Sequence, residues 1–271
     1  MRRVELLAHL VLLPVGFLTL APFAYQVGLS LMPPERVFAT PWPFSWPPTL
    51  ENYRVVLERL PFGRYVLNTL IFALGVTLGQ LFLALLAAYA FAFRRFPLQG
   101  VLFGLFVGSL LVPFVVTYLP SYLLVARMGL LNTFPGLILP MLTAGYATFL
   151  LRQHFLGFPR EILEAALVDG ATPGQILFRV LAPSQRPTLV ALGLTLFINA
   201  WNQFVWPNLV ANRPDMYVLT VAVQRFAGGE GSDAWGPLMA ASVLATLPAF
   251  LLFLLFRRGI LETLMEGGVR G

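Results

Sequence analysis

Two histidines, His9 and His154, are the only imidazoles in the chain, and they stand far apart outside any recognisable ligand spacing. There is no cysteine, so no disulfide, thiolate metal site or thiol nucleophile can be built. No Ser-His-Asp pattern and no paired carboxylates point to nucleophilic or general acid–base catalysis. The glycine-rich stretch GGEGSD at 228–233 ends in an acid. A phosphate-cradling loop would end in Lys-Ser or Lys-Thr, and this chain has no lysine anywhere. The expectation is a protein that is not an enzyme, holds no metal and no cofactor, and carries no ATP site of its own. Two polar groups set in apolar sequence remain to do chemistry. One is EILEAALVDGATPGQILFRVLAPSQRP at 161–187; the other is the amide and indole set Asn199, Trp201, Asn202 and Gln203. The second could hydrogen-bond hydroxyls of a bound solute, with the Trp201 ring as an apolar face. Equally, Asn199 and Asn202 could bond neighbouring helices while Trp206 sits in an interfacial aromatic belt.

The elements that must position these residues are set by composition. The 271 residues are 58% hydrophobic and 11% charged, against about a quarter charged in soluble domains. Uncharged runs predict six membrane helices, at about 7–32, 65–93, 99–124, 133–155, 188–210 and 236–256, each near or above the roughly 20 residues that cross about 30 Å of hydrocarbon. The first run exceeds a usual signal-peptide core and is followed by five more, so it is read as a retained span. All 18 basic residues are arginine. Placing Arg2, Arg3, Arg94, Arg95, Arg152 and Arg160 inside satisfies the positive-inside rule and puts both termini in the cytoplasm. The net charge of +6 is then explained by the bilayer, without nucleic acid.

Outside lies a Pro- and Trp-rich loop with Trp42 and Trp46 suited to the interface, then a short surface helix, TLENYRVVLERL, capped by Thr49. The last outer segment, 211–236, reads as a loop long enough to reach a partner, with GGEGSD as its flexible part. Inside lies the segment 158–187. Pro159 and Glu161 suit a first helical turn, and Gly170 suits the position just past a helix end. Thr172-Pro173-Gly174-Gln175 has capping-box form and starts a second helix, 173–181, which Pro183 should end. The result is a helix, a glycine corner and a capped helix. Ile162, Ala165, Ala166 and Asp169 share helical spacing, which suits either docking of a partner or packing on the chain's own spans.

That segment resembles the cytoplasmic loop of bacterial ABC importer permeases, with its Glu-Ala-Ala, three residues, Gly, nine residues, Ile-x-Leu-Pro. Here the matching residues are Glu164, Ala165, Ala166, Gly170, Val180, Ala182 and Pro183. Val180 is conservative; Ala182 in place of leucine is a departure. AAYAFAFRRFP at 87–97, LLNTFPGLILP at 130–140, WNQFVWP at 201–207 and the tail from Arg257 resemble the carbohydrate-uptake, binding-protein-dependent members. The pattern is most like permeases for sn-glycerol-3-phosphate, with maltose-type permeases next. The resemblance implies the all-α type I permease fold in the bacterial inner membrane. It also implies a second homologous permease subunit, two cytoplasmic ATPase subunits that use ATP and Mg, and an extracytoplasmic solute-binding protein. Glu164, Ala165, Ala166, Asp169, Gly170, Ala171 and Pro183 would then form the ATPase-coupling loop. An ion-coupled transporter or a channel is the alternative. No run that defines a span contains the Asp, Glu, Lys or Arg of a proton relay.

Overall fold

The computed structural model describes residues 2–37, 39, 42–228 and 235–268, and for residues 2–7, 253 and 256–268 the backbone alone. The described residues form helices and no strand. In chain order these are α1 (Arg2–Ser30), α2 (Glu51–Arg59), α3 (Phe62–Phe93), α4 (Gln99–Gly108), α5 (Phe114–Arg127), α6 (Phe134–Ile138) and α7 (Gly145–Leu156). There follow α8 (Arg160–Val168), α9 (Pro173–Gln175), α10 (Ala182–Ser184), α11 (Arg186–Trp201), α12 (Val205–Val210), α13 (Leu219–Gly228) and α14 (Trp235–Gly268). They fall into two compact units, one of residues 2–66 and 218–250, the other of 67–217 and 251–268.

In the first unit the short helix α2 is tied to the end of α1 by one side chain. The last carbonyls of a helix have no partner within it. The Asn52 amide, 1% exposed, donates to Ser30 O at 2.9 Å and to Met32 O at 2.8 Å. The Ser30 hydroxyl lies 2.7 Å from that of Tyr53, and Thr49 N–H donates to Leu31 O. Gly236, at the start of α14, leaves the space this needs, because a Cβ there would stand 2.6 Å from Asn52 Oδ1. Val56 packs with Ala240 and Ala241. The capping differs from expectation: Leu50 is the N-cap of α2, and the Thr49 hydroxyl accepts from Glu51 N–H instead. The segment expected to be a loop at 211–236 contains α13, and the greater part of GGEGSD, expected to be flexible, lies outside the described residues.

The second unit holds both candidate sites. Helix α3 meets the α6 segment through Gly75 and Gly79, where a Cβ would lie 2.6 Å from Ile138 and 2.5 Å from Leu142. Small residues four apart allow this close approach of backbones, as at membrane helix pairs generally. Below this contact Ala84, Ala88, Ala147, Leu151, Phe155 and Leu181 form a buried cluster.

Three helices are long and apolar enough to cross a membrane unbroken: 8–30 of α1, all of α3, and 235–252 of α14. The expected spans at 99–124, 133–155 and 188–210 are each interrupted. The first bends by 100° between 99–111 and 114–127, at Pro113, whose ring supplies no N–H. The second bends by 49° between 134–141 and 145–156. There the Gln80 amide of α3 donates to Met141 O at 2.6 Å and Thr143 O at 3.0 Å, so side-chain donors replace the missing helical ones. The third stops at Trp201 and resumes at Val205. Broken backbone at membrane depth is tolerated where protein groups satisfy it, and Gln80 does this for the second break. Counting two bent pairs as spans gives five among the described residues, against the six expected.

Candidate coupling loop and translocation surface

The predicted elbow is built from local rules. Pro159 is the N-cap of α8 rather than its first residue, and Glu161 lies in the first turn, where the helix dipole favours an anion. Asp169 caps the end, and Gly170 then turns with φ +76°, a conformation in which a Cβ costs about 1–2 kcal/mol. Ala171 N–H donates to Ala166 O and Gly170 N–H to Leu167 O, which closes the glycine-ended cap on α8. One residue on, the expected capping box is present. Gln175 N–H donates to Thr172 Oγ1 at 3.4 Å, and Gln175 Oε1 accepts from Thr172 N–H at 2.7 Å.

Beyond Gln175 the chain departs from expectation. Residues Ile176–Leu181 wind as a π-helix, and Pro183 does not end the helical path but sits in the first turn of α10. A wider turn keeps the carbonyl four residues back from the proline ring, which in an α-helix would clash with it. The break comes at Gln185, just before α11. Ile176, Leu177 and Leu181 are buried in the same cluster as Phe155.

Helix α8 has one packed face and one uncovered face. Leu163, Ala166 and Ala171 pack against the buried cluster and hold the elbow on the unit. Ile162 (48% exposed), Leu167 (59%) and Val168 (88%) remain uncovered, and no residue of α8 is buried. Glu161, Glu164, Ala165, Asp169 and Gly170 are exposed as well, and among the described residues the acids form no ion pair. The uncovered face is therefore apolar with an acidic margin. Pro183, exposed, lies apart from it behind the π-turn.

The second group surrounds the break after α11. Trp201 is 3% exposed and packs on Phe197, ring centres 5.6 Å apart, so its indole offers no free face. Asn202 caps the end of α11 with its backbone and leaves its side chain exposed. Asn199 is also exposed; neither amide makes a side-chain hydrogen bond among the described residues, contrary to an interhelical role. Gln203 is half-buried and lies beside the Tyr118 hydroxyl of α5. Trp206 is not in an interfacial belt: it is fully buried, donates to Leu137 O at 2.9 Å and stacks on Tyr118 at 6.3 Å.

Sequence reading missed Tyr118, Gln80 and Asn52. The signal for Gln80 was a lone amide in the middle of an uncharged run; Tyr118 and Asn52 carried none. His154 is exposed near the end of α7. Arg152 lies with its guanidinium 4.2 Å over the Phe103 ring and donates to Phe91 O.

Comparison with known proteins places this geometry. Over 271 residues the chain is 32% identical to the sn-glycerol-3-phosphate transport system permease protein UgpE of Rhizobium meliloti, covering 97% of this chain and 96% of that one. It is 35% identical over 207 residues to the protein of the same name from Pectobacterium atrosepticum, covering 76% and 74%. A chain in the crystal structure of a bacterial ABC transporter that imports the acidic polysaccharide alginate superposes with a TM-score of 0.82 at 20% identity, over 95% of this chain and 96% of that one. A chain of the alginate ABC transporter in complex with alginate pentasaccharide-bound periplasmic protein superposes with a TM-score of 0.58 at 18% identity, over 96% of each. The likeness in structure shows a shared fold. A sequence model described as the binding-protein-dependent transport system inner membrane component matches residues 80–262, which include α8, the glycine corner and the break after α11. The chain belongs to this family of inner-membrane transport permeases.

Proposed function

We propose that the chain is one permease subunit of an ATP-driven ABC importer, forming half of a translocation path with a second, homologous permease. ATP and Mg are held by two cytoplasmic ATPase subunits and not by this chain, which works without a cofactor. An extracytoplasmic solute-binding protein delivers the cargo. The chain crosses the membrane six times with both termini in the cytoplasm, three of the crossings being broken helices. The segment 158–187 is the coupling loop, and Glu164, Ala165, Asp169 and Gly170 face the ATPase. Ala166, Ala171 and Pro183 hold its shape from within. The cargo is sn-glycerol-3-phosphate, the compound named for the relatives, or a carbohydrate such as a maltose-type sugar. It passes Asn199, Asn202 and Gln203, with Trp201 packed behind them.

The observation that carries this reading is the uncovered face of α8. A capped three-turn helix with Ile162, Leu167 and Val168 in water is costly unless something covers them. The helix is seated on the unit by Leu163 and Ala166, so a push on its outer face moves the packed helices beneath it. Rigid-body transmission of this kind is what alternating access needs. The test is uptake by the assembled importer carrying Glu164→Lys. Loss of uptake and of cargo-stimulated ATP hydrolysis, with normal insertion in the membrane, is expected. Wild-type uptake in that variant would contradict the reading.

A further inference from the structure

The break after α11 carries an exposed and a half-buried amide near a set of aromatic rings. Three rings line up beside it: Phe114 meets Tyr118 edge to face at 5.0 Å, and Tyr118 lies parallel to Trp206 at 15°. Trp206 is immobile, being fully buried and bonded to Leu137 O. It therefore fixes the Tyr118 ring, whose hydroxyl lies beside Gln203. Beside them Asn202 is exposed and makes no side-chain hydrogen bond among the described residues. Polar side chains within membrane helices face a protein interior or a water-filled cavity, because hydrocarbon offers them no partner. A half-buried amide next to an exposed one, against a rigid aromatic wall, is the arrangement that holds hydroxyls by hydrogen bonds and C–H surface by ring contact. No Arg, Lys or His occurs in 113–126 or 187–212, so nothing there balances a phosphate. A dianion placed against this wall would be desolvated without a countercharge.

On the proposed reading of the chain as an importer permease, we infer that Tyr118, Gln203 and Asn202 form a cargo-contacting surface for the uncharged, hydroxyl-bearing part of a polyhydroxylated solute. Tyr118 and Gln203 both touch the cargo, the Tyr118 ring being held by Trp206. A phosphate on the cargo, if there is one, points away from this subunit's wall.

The test uses the complete importer in proteoliposomes with its binding protein, and radiolabelled sn-glycerol-3-phosphate and maltose as probes. Initial uptake and stimulated ATP hydrolysis are read together. Tyr118→Phe keeps the stack on Trp206, and Gln203→Leu keeps the volume. Each is expected to lower cargo moved per ATP by about tenfold, the loss of roughly one hydrogen bond, with ATP hydrolysis within about twofold of wild type. Gln203→Glu stays within about threefold, since a carboxylate still accepts from hydroxyls. Wild-type efficiency in both Tyr118→Phe and Gln203→Leu overturns the site. So does a collapse of sn-glycerol-3-phosphate uptake in Gln203→Glu alone, which would place the phosphate at this wall. A wild-type complex that hydrolyses ATP on demand yet carries neither probe overturns the cargo class. One that shows no stimulated hydrolysis overturns the importer reading itself.

Discussion

At the scale of single residues, two positions hold the shape on which the rest depends. Gly170 has φ +76° and open space around its Cα, so the demand there is on backbone conformation and not on room. Gly170→Ala is expected to strain the corner by about 1 kcal/mol and to weaken coupling severalfold, while Gly170→Pro, which also removes the N–H bonded to Leu167 O, should abolish uptake. Uptake and ATP hydrolysis measured in parallel check this: uncoupled hydrolysis with intact assembly is the expected sign. Asn52 acts within the first unit, at the join of α1 and α2. Asn52→Ala leaves the Ser30 and Met32 carbonyls without their donor, a loss of about 1–3 kcal/mol, and should lower the melting temperature of the detergent-purified protein by several degrees. Unchanged melting would show that water replaces the amide at no cost.

At the scale of elements, close approach and controlled breakage matter more than helix length. The α3 contact with the α6 segment depends on Gly79, and Gly79→Leu would force its branched side chain into Leu142. Overpacking of this kind costs about 1–3 kcal/mol, so reduced thermal stability is expected, with uptake lost as the bend at 142–144 shifts. A melting curve and an uptake assay on the same preparation separate the two effects. These elements also show what was legible beforehand. The glycine corner and the Thr172–Gln175 capping box follow from rules spanning a few residues, and both appear where those rules put them. The breaks at 112–113, 142–144 and 202–204 were hidden inside uncharged runs. A count of apolar residues measures length and is blind to direction, and Gln80 satisfies a break 61 residues away in sequence. Trp206 was misplaced for the same reason: an indole near a helix end suits an aromatic belt, and only the fold shows that Tyr118 and Leu137 enclose it.

At the scale of the whole molecule, the account joins a seated elbow to a polar wall within one packed unit. The buried cluster that receives Leu163, Ala166 and the π-turn also contains Leu192 of α11, the helix that ends at Asn202. A displacement of α8 is thus handed to α11 by packed side chains, and interiors packed to crystal density transmit strain instead of absorbing it. The chain's lack of cysteine makes this directly measurable. A single cysteine is placed at Val168, on the uncovered face, or at Ala166, on the seated face, and paired with single cysteines across the ATPase surface of the assembled importer. A disulfide from position 168 to the ATPase that arrests uptake until it is reduced is expected, and none from position 166. An assembled, active importer in which position 168 never reaches the ATPase would contradict it.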